Sequence, residues 1–438
     1  MLGFYARASR AVKQIPLAAG NHRGPECRRW TESNTSIEWI LMGTPLEVLR
    51  VAARLGVTSF GGPIAHLGYF HDEYVVRRRW IDEQSYADLV ALCQMIPGPA
   101  SSQLGMAIGI QRAGFLGGIA AWAGFTLPSA IAMTAFALVV RGAAFPTGGW
   151  LHGLMLVAVA VVAQAVWSMA RTLASDAPRA SIAFAAAIAS VLVPTAFTQI
   201  LLIIGGAIAG LVVLGSAEGD LTVHPTGFGS INRVTAVCCL AVFAALLVGL
   251  PVLRSLVASQ WVAVIDSFYR SGSLVFGGGH VVLPLLQREV VPPGWITNAA
   301  FMAGYGAAQA VPGPLFSFAA YLGAALASPP NGVLGAAVAL TAIYLPSFLL
   351  VIGLLPFYGL LRSRRAIRSA LSGVNAAVVG ILLAALYRPV WTSAILRPAD
   401  FALGLAAFLL LVFWKVRPWI IVVGGAIAGE ALSRLVPG

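Results

Sequence analysis

Two stretches of this chain, Ser59-Phe60-Gly61-Gly62-Pro63 and Ile96-Pro97-Gly98-Pro99, return about 215 residues later as Val275-Phe276-Gly277-Gly278-Gly279 and Val311-Pro312-Gly313-Pro314. The correspondence also pairs Arg54 with Arg270, Gln94 with Gln309, Trp80-Ile81 with Trp295-Ile296, and Leu127-Pro128-Ser129 with Leu345-Pro346-Ser347. Chance likeness between apolar segments copies Leu and Ala, whereas this one copies Gly, Pro, Gln, Arg and Trp. The simplest reading is two copies of one unit facing each other across a shared site.

The solvent for those units follows from composition. With 59% hydrophobic and 10% charged residues, and a mean hydropathy of +0.85, the chain is far more apolar than a soluble domain, in which about a quarter of residues are charged. Runs from Leu116 to Val140, Leu151 to Met169, Ala196 to Leu214, Ala236 to Leu250, Gly332 to Leu355 and Ala399 to Trp414 have the length and polarity of membrane spans or near-spans. The formal charge of +12 is scattered through short loops between them, so it reports topology and no nucleic-acid partner is expected. Lys13 and Lys415 are the only lysines; the arginine excess suits bidentate oxyanion recognition, and equally a GC-rich genome. Cys27, Cys93, Cys238 and Cys239 make no disulfide or metal-ligand spacing, so neither metal nor cofactor is expected.

The fold class expected is an all-α polytopic membrane protein of two inverted structural repeats, with broken or re-entrant helices at the Pro-Gly-Pro motifs. Residues 1–44 read as a polar N-terminal tail, 45–214 as the first repeat, 215–251 as a polar linker plus a connecting transmembrane helix, and 252–434 as the second repeat. Each copy opens with a segment interrupted at Phe-Gly-Gly, followed by one split at Pro-Gly-Pro into pieces of about 13 residues. A helix of that length rises about 20 Å, short of the ~30 Å hydrocarbon core, so a piece reaches the midplane without crossing. The basic loops choose between a broken crossing helix and a re-entrant hairpin. Arg77-Arg78-Arg79 correspond to Pro292-Pro293-Gly294, whereas Arg362, Arg364, Arg365 and Arg368 crowd a loop whose first-copy counterpart, Arg141 to Gly149, has one arginine. With both basic loops cytoplasmic the copies are inverted, and the parity of crossings then selects the hairpin, with 234–251 supplying the extra span.

A helix broken inside hydrocarbon exposes backbone groups that survive only against protein or a water-filled cavity. Pro99 and Pro314 suit the first turn of a restarting helix, with Ser102 and Ser317 just behind, and such a start offers unpaired N–H groups and a positive dipole end to an anion. Brought together by a pseudo-twofold, Pro97, Gly98, Pro99, Pro312, Gly313 and Pro314 would form an anion cradle; the plainer alternative is a kink in a packed helix. Arg54 and Arg270 lie at equivalent places in mostly apolar segments, where an arginine at the bilayer centre costs about 2.5–3.5 kcal/mol. They either face a cavity and neutralise an anionic substrate, or snorkel from helix ends. Glu73, Asp88 and Glu289 are candidates for a coupling proton, or carboxylates that balance nearby arginines, while His66 and His280 read better as hydrogen-bonded structural groups. Gly114, Gly117, Gly118, Gly424 and Gly425 have the spacing of close helix contacts. The chain has no GxxxxGK[ST], HExxH or GxSxG, so ATP-driven pumping and hydrolytic catalysis lack support and no enzyme is expected.

The duplicated Phe-Gly-Gly and Gln-x-x-Pro-Gly-Pro motifs, with Leu-Pro-Ser downstream in each half, resemble the chromate ion transporter family in its long, two-domain form, over about residues 45–434. The resemblance implies a multi-pass plasma (inner) membrane secondary transporter, an antiporter or similar device, that exports chromate and confers chromate resistance, with sulfate as the related tetrahedral dianion. Its matching positions are Phe60, Gly61, Gly62, Gln94, Pro97, Gly98 and Pro99, and Phe276, Gly277, Gly278, Gln309, Pro312, Gly313 and Pro314. The second copy departs at Gly279, where the first has Pro63, and at Phe316, where the first has Ser101, which puts limits on the equivalence of the half-sites. The partners expected are chromate or sulfate and the lipid bilayer, with a homodimer compatible. Sulfate or another oxyanion as the physiological cargo is the alternative within transport; a membrane sensor or enzyme is the alternative outside it.

Overall fold

A computed structural model describes residues 43–60, 62–142, 149–193, 195–214, 231–276, 279–358 and 364–435. Residues 1–42 of the tail, residues 215–230 of the linker, and Gly61, Gly277, Gly278 and Arg362 lie outside the described residues. The described residues contain helices and turns and no strand. In the first copy these are α1 (Pro45–Thr58), α2 (Gly62–Phe70), α3 (Glu83–Met95), α4 (Ala100–Gly142), α5 (Gly149–Leu173), α6 (Ala177–Leu192) and α7 (Ala196–Val213). The connecting helix is α8 (Arg233–Leu256). The second copy contributes α9 (Gln260–Ser273), α10 (Val282–Val290), α11 (Asn298–Ala308), α12 (Phe318–Ala325), α13 (Gly332–Leu354), α14 (Arg365–Ala385), α15 (Pro398–Val412) and α16 (Pro418–Leu435). Helix starts are set by local chemistry: the side chains of Thr44, Asp82, Asp176, Thr195, Asn232 and Thr297 each accept an amide of the first turn, a cap worth about 1 kcal/mol.

Among the described residues five segments are long and apolar enough to cross a membrane: Ala100–Val140, Gly149–Leu173, Arg233–Leu256, Gly332–Phe357 and Arg365–Ala394. The last of these escaped the hydropathy reading because Arg365, Arg368 and Arg388 dilute both its ends. α8 is almost bare, with 6% of its most apolar window buried.

The Pro-Gly-Pro segments fold as hairpins. In the second copy the Phe318 ring packs edge-on against Phe301 at 5.2 Å and Tyr305 at 5.7 Å, while the Tyr321 hydroxyl donates to the Ala300 carbonyl at 2.8 Å. Advancing along α12 therefore means retreating along α11, and the two half-helices lie side by side and antiparallel. In the first copy α3 is 13 residues long, and α4 begins with a short arm that ends at Ala113 and Gly114, where φ is +64° and the chain reverses. The two arms of α4 then close on each other through Gly109 and Gly117. A Cβ on Gly109 would lie 2.4 Å from the Gly117 carbonyl oxygen, and Gly323 meets the Gly335 carbonyl in the same way at 2.1 Å in the second copy. Small residues at such crossings let backbones approach in a medium where no hydrophobic force drives them together.

The copies are inverted, and they are interlocked. Tyr358, after the end of α13, donates to Asp88 of α3 at 3.4 Å, and Phe136, near the end of α4, stacks on Tyr321 of α12 at 5.7 Å. Each long helix thus ends beside the opposite copy's hairpin, which parallel copies could not arrange. The outer helices are exchanged likewise: Gly153 of α5 meets Gly425 of α16, and Gly373 of α14 meets Gly206 of α7.

The turn after α2 is clasped by charge. Glu73 is buried and accepts from Arg77 at 2.6 Å and Arg78 at 2.7 Å, and the Arg78 and Arg112 guanidinium groups both lie over Trp80. Burial pushes the Glu73 carboxyl up, but the two arginines outweigh it and hold it below the usual carboxylate range. A depressed folded value means that this clasp contributes fully above the unfolded value near 4.3 and fades as pH falls through the folded one. Glu73→Gln is accordingly expected to lower Tm in detergent at pH 7, with the gap to the parent closing below about pH 4. A gap that stays constant from pH 7 to pH 3 would show that the carboxylate is not the stabilising group.

Candidate functional site

The two kinds of helix break meet. α1 ends with the Ser59 amide on the Leu55 carbonyl at 2.9 Å, and α3 ends with the Ile96 amide on Leu92 at 3.2 Å. Beyond each of these ends the chain runs through a short non-helical stretch whose backbone must find partners elsewhere. The Gly98 N–H donates to the Val275 carbonyl at 2.7 Å, and the Gly313 N–H donates to the Ser59 carbonyl at 2.9 Å. Ser59 and Val275 are equivalent positions in the two copies, as are Gly98 and Gly313. Each Pro-Gly-Pro loop is therefore docked on the other copy's Phe-Gly-Gly break, by a pair of bonds related by the pseudo-twofold. Gly98 at φ +125° and Gly313 at φ +99° adopt backbone conformations that side chains disfavour, which is why glycine stands at both.

The Leu-Pro-Ser motifs wall these loops, again from the opposite copy. A Cβ on Gly98 would lie 2.6 Å from Ser347 Oγ, and one on Gly313 would lie 3.1 Å from Ser129 Oγ. Gln103 donates to the Pro97 carbonyl at 2.7 Å, which orients its amide, and the Ser102 hydroxyl faces the Tyr344 hydroxyl at 3.4 Å. Trp122 packs edge-on against Tyr344 and Phe348, the neighbours of Ser347 on α13. Several buried polar atoms here have no hydrogen-bond partner in the protein: the hydroxyls of Ser59 and Ser347, the indole N–H of Trp122 and the Gln103 carbonyl oxygen. Such atoms are rare in folded proteins and mark places where water or a ligand completes the structure.

The structure brings only some of the residues singled out from sequence to this centre. Gly98 comes together with Ser347 and Val275, Pro97 and Pro99 with Gln103, and Ser102 with Tyr344; Gly313 comes together with Ser59 and Gly56. Ser317 is buried in a 3₁₀ turn, Gln94 is exposed on α3, and Gln309 reaches only its own helix at Tyr305. Gly62 begins α2 at φ +78°. Arg54 is exposed on α1 and has no carboxylate partner among the described residues. Its counterpart Arg270 is half-buried and gripped: it donates to Asp266 at 2.8 and 3.1 Å and to Glu289 at 3.0 Å. Arg254 joins the same carboxylates at 3.0 and 3.4 Å and lies over Trp295, as Arg78 lies over Trp80. Glu73 and Glu289 each accept from two arginines, Arg77 and Arg78 for the one and Arg254 and Arg270 for the other, while Asp88 is buried against Tyr358 and Gln84. His66 meets Ser101 at 3.3 Å and His280 meets Tyr305 at 2.8 Å, both hydrogen-bonded. Gln103, Trp122, Tyr344 and Ser347 were not among the candidate site residues. Only Ser347 carried a signal, its place in the duplicated Leu-Pro-Ser.

Chemically, the centre offers hydrogen-bond donors and a helix N-terminus. A family model described as "Chromate transporter" matches residues 46–211 and 262–430. Among curated proteins, the chain is 28% identical to a "Chromate transport protein" of Pseudomonas aeruginosa over 75% of this chain and 77% of the relative. It is 27% identical to a "Probable chromate transport protein" of Synechococcus elongatus over 86% of this chain and 92% of the relative. A "Chromate transport protein" of Cupriavidus metallidurans is 26% identical over 86% of this chain and 90% of its own length. No solved structure matches.

Proposed function

The chain belongs to the chromate transporter family, and from that premise we propose that it is a plasma-membrane secondary transporter that exports chromate by alternating access and so confers resistance. The observation that carries the reading is the reciprocal pair of bonds from Gly98 to Val275 and from Gly313 to Ser59. A site shared by two interlocked, inverted units can be opened to either face by rocking one against the other, with the broken helices at the pivot. Arg54 is the exposed cation that draws the anion in, whereas Arg270 reaches it only when Asp266 and Glu289 let go. Glu289 is therefore the coupling candidate with a direct consequence for Arg270, which it holds at 3.0 Å. Sulfate makes the same contacts and is the alternative cargo.

The electrical driving force favours export. A dianion leaving a negative interior gains about 2.3 kcal/mol per charge at 100 mV, hence about 4.6 kcal/mol or roughly three decades of concentration. In proteoliposomes loaded with labelled chromate, an inside-negative potential is expected to accelerate efflux, excess sulfate to compete, and Arg54→Ala to slow the rate several-fold. Label that stays inside despite the potential would sink the transport reading, and an Arg54→Ala variant at full rate would remove the arginine's role.

A further inference from the structure

The two half-sites are equivalent by position and unequal by chemistry. Behind Pro99 the chain reads Ala100-Ser101-Ser102-Gln103; behind Pro314 it reads Leu315-Phe316-Ser317-Phe318. α4 starts directly as an α-helix, its first bond running from the Gln103 amide to the Pro99 carbonyl at 3.0 Å, so the amides of Ala100, Ser101 and Ser102 have no acceptor within the helix. The second copy restarts through a 3₁₀ turn over Leu315–Ser317, which brings the Ser317 amide onto the Pro314 carbonyl at 3.0 Å and consumes a donor. The serines differ likewise. Ser129 donates to the Thr126 carbonyl at 2.9 Å, while Ser347, fully buried at 0% exposure, has no partner and lies against Gly98. Trp122, whose indole N–H is also unpartnered, is replaced in the second copy by Leu340.

We infer that the protein binds one tetrahedral oxyanion per chain, at the N-terminus of α4 behind Pro99, held by neutral donors: the Ala100–Ser102 amides and the Ser347 hydroxyl from the opposite copy, with the Trp122 N–H beside it. The Gly313 half, where Phe316 and Phe318 stand at the positions equivalent to Ser101 and Gln103, is the apolar partner that closes over it. This rests on the transport reading and refines it from a symmetric cradle to a one-sided site. Donors arranged around an anion give charge-assisted bonds without a buried cation, and the helix dipole adds to them. Neutral recognition also releases the cargo more readily than an arginine would. Gln103, tied to Pro97, holds the loop in shape, and its carbonyl oxygen is the one orphan acceptor in the group, placed to take a water hydrogen at the edge of the site.

The test is a pair of serine variants in the full-length protein, read by flux in proteoliposomes and by the Tm shift that sulfate or chromate induces in detergent. Ser347→Ala removes a hydroxyl that bonds to nothing in the protein, so its anion-free Tm is expected to equal or exceed that of the parent. Its KM for chromate should rise at least about tenfold and its anion-induced shift should vanish, as loss of one charge-assisted bond predicts. Ser347→Cys, nearly the same in shape but a weak donor, should behave alike. Ser129→Ala should leave KM within about twofold. Equal loss in Ser129→Ala and Ser347→Ala would restore the symmetric cradle and overturn the one-sided site, and so would an unchanged KM in both Ser347 variants. A parent protein that moves chromate in neither direction would instead overturn the transport reading itself.

Discussion

Gly98→Ala is expected to abolish chromate flux while leaving a protein that still inserts and purifies, with a clearly lowered Tm. At φ +125° the backbone is one that alanine adopts only under strain, at a cost of about 1–3 kcal/mol. The added methyl would also lie 2.3 Å from Gln103 Nε2 and 2.6 Å from Ser347 Oγ, so both side chains must move. Overpacking of that kind costs about another 1–3 kcal/mol. The easiest escape is to withdraw the loop, which breaks the Gly98–Val275 bond and scatters the donors around the α4 terminus. Gly313→Ala meets only the φ penalty and contacts of 3.1–3.2 Å to Ser129 Oγ and the Gly56 and Phe125 carbonyls, so its loss should be smaller. Flux in proteoliposomes and Tm in detergent report the two effects separately. A Gly98→Ala protein with native rate and native Tm would mean that the Pro-Gly-Pro conformation is dispensable.

The second large effect is expected at Asp266. It is buried and shares its carboxylate between Arg254 and Arg270, with Glu289 completing a network of two cations and two anions. Asp266→Ala leaves two guanidinium groups dividing one carboxylate, and breaking a buried pair from one side costs about 3–5 kcal/mol. Loss of folded protein on expression, or a Tm lower by several degrees, is the expected result. Replacing Arg254 at the same time, as in Arg254→Met with Asp266→Ala, restores the balance of charge and should recover much of the loss. A double variant as unstable as the single one would show that Asp266 acts through packing or its hydrogen bonds, and not through charge balance.

Arg270 illustrates how far the sequence could be read. An arginine in an apolar segment asks for an anion, and the duplication paired it with Arg54, which made two symmetric substrate ligands attractive. Asp266 stands one helical turn before Arg270, a spacing at which side chains meet, and in the register of the repeat it faces Arg50, a departure from symmetry. In the structure that departure is what occupies Arg270. The hairpin was more legible: half-helices of 13 residues cannot cross, and the unequal basic loops implied inversion, which the contacts of Tyr358 with Asp88 and of Phe136 with Tyr321 carry out. Ser347 was half legible, since its motif repeats but nothing in the repeat says which serine keeps a free hydroxyl.

What the sequence determined by itself is everything governed by neighbours along the chain. Hydropathy demanded a bilayer, proline without an N–H and glycine with a positive φ broke the helices at Pro-Gly-Pro, and the copied motifs required two like units. What only the tertiary structure decided is which orphaned group meets which: Gly98 with Val275, Gly313 with Ser59, Arg270 with Glu289, Ser347 with Gly98. Apart from Arg270 and Glu289, these partners lie in opposite copies, far apart in the chain. Their pairing depends on how two interlocked bundles settle against each other, and no local preference encodes that.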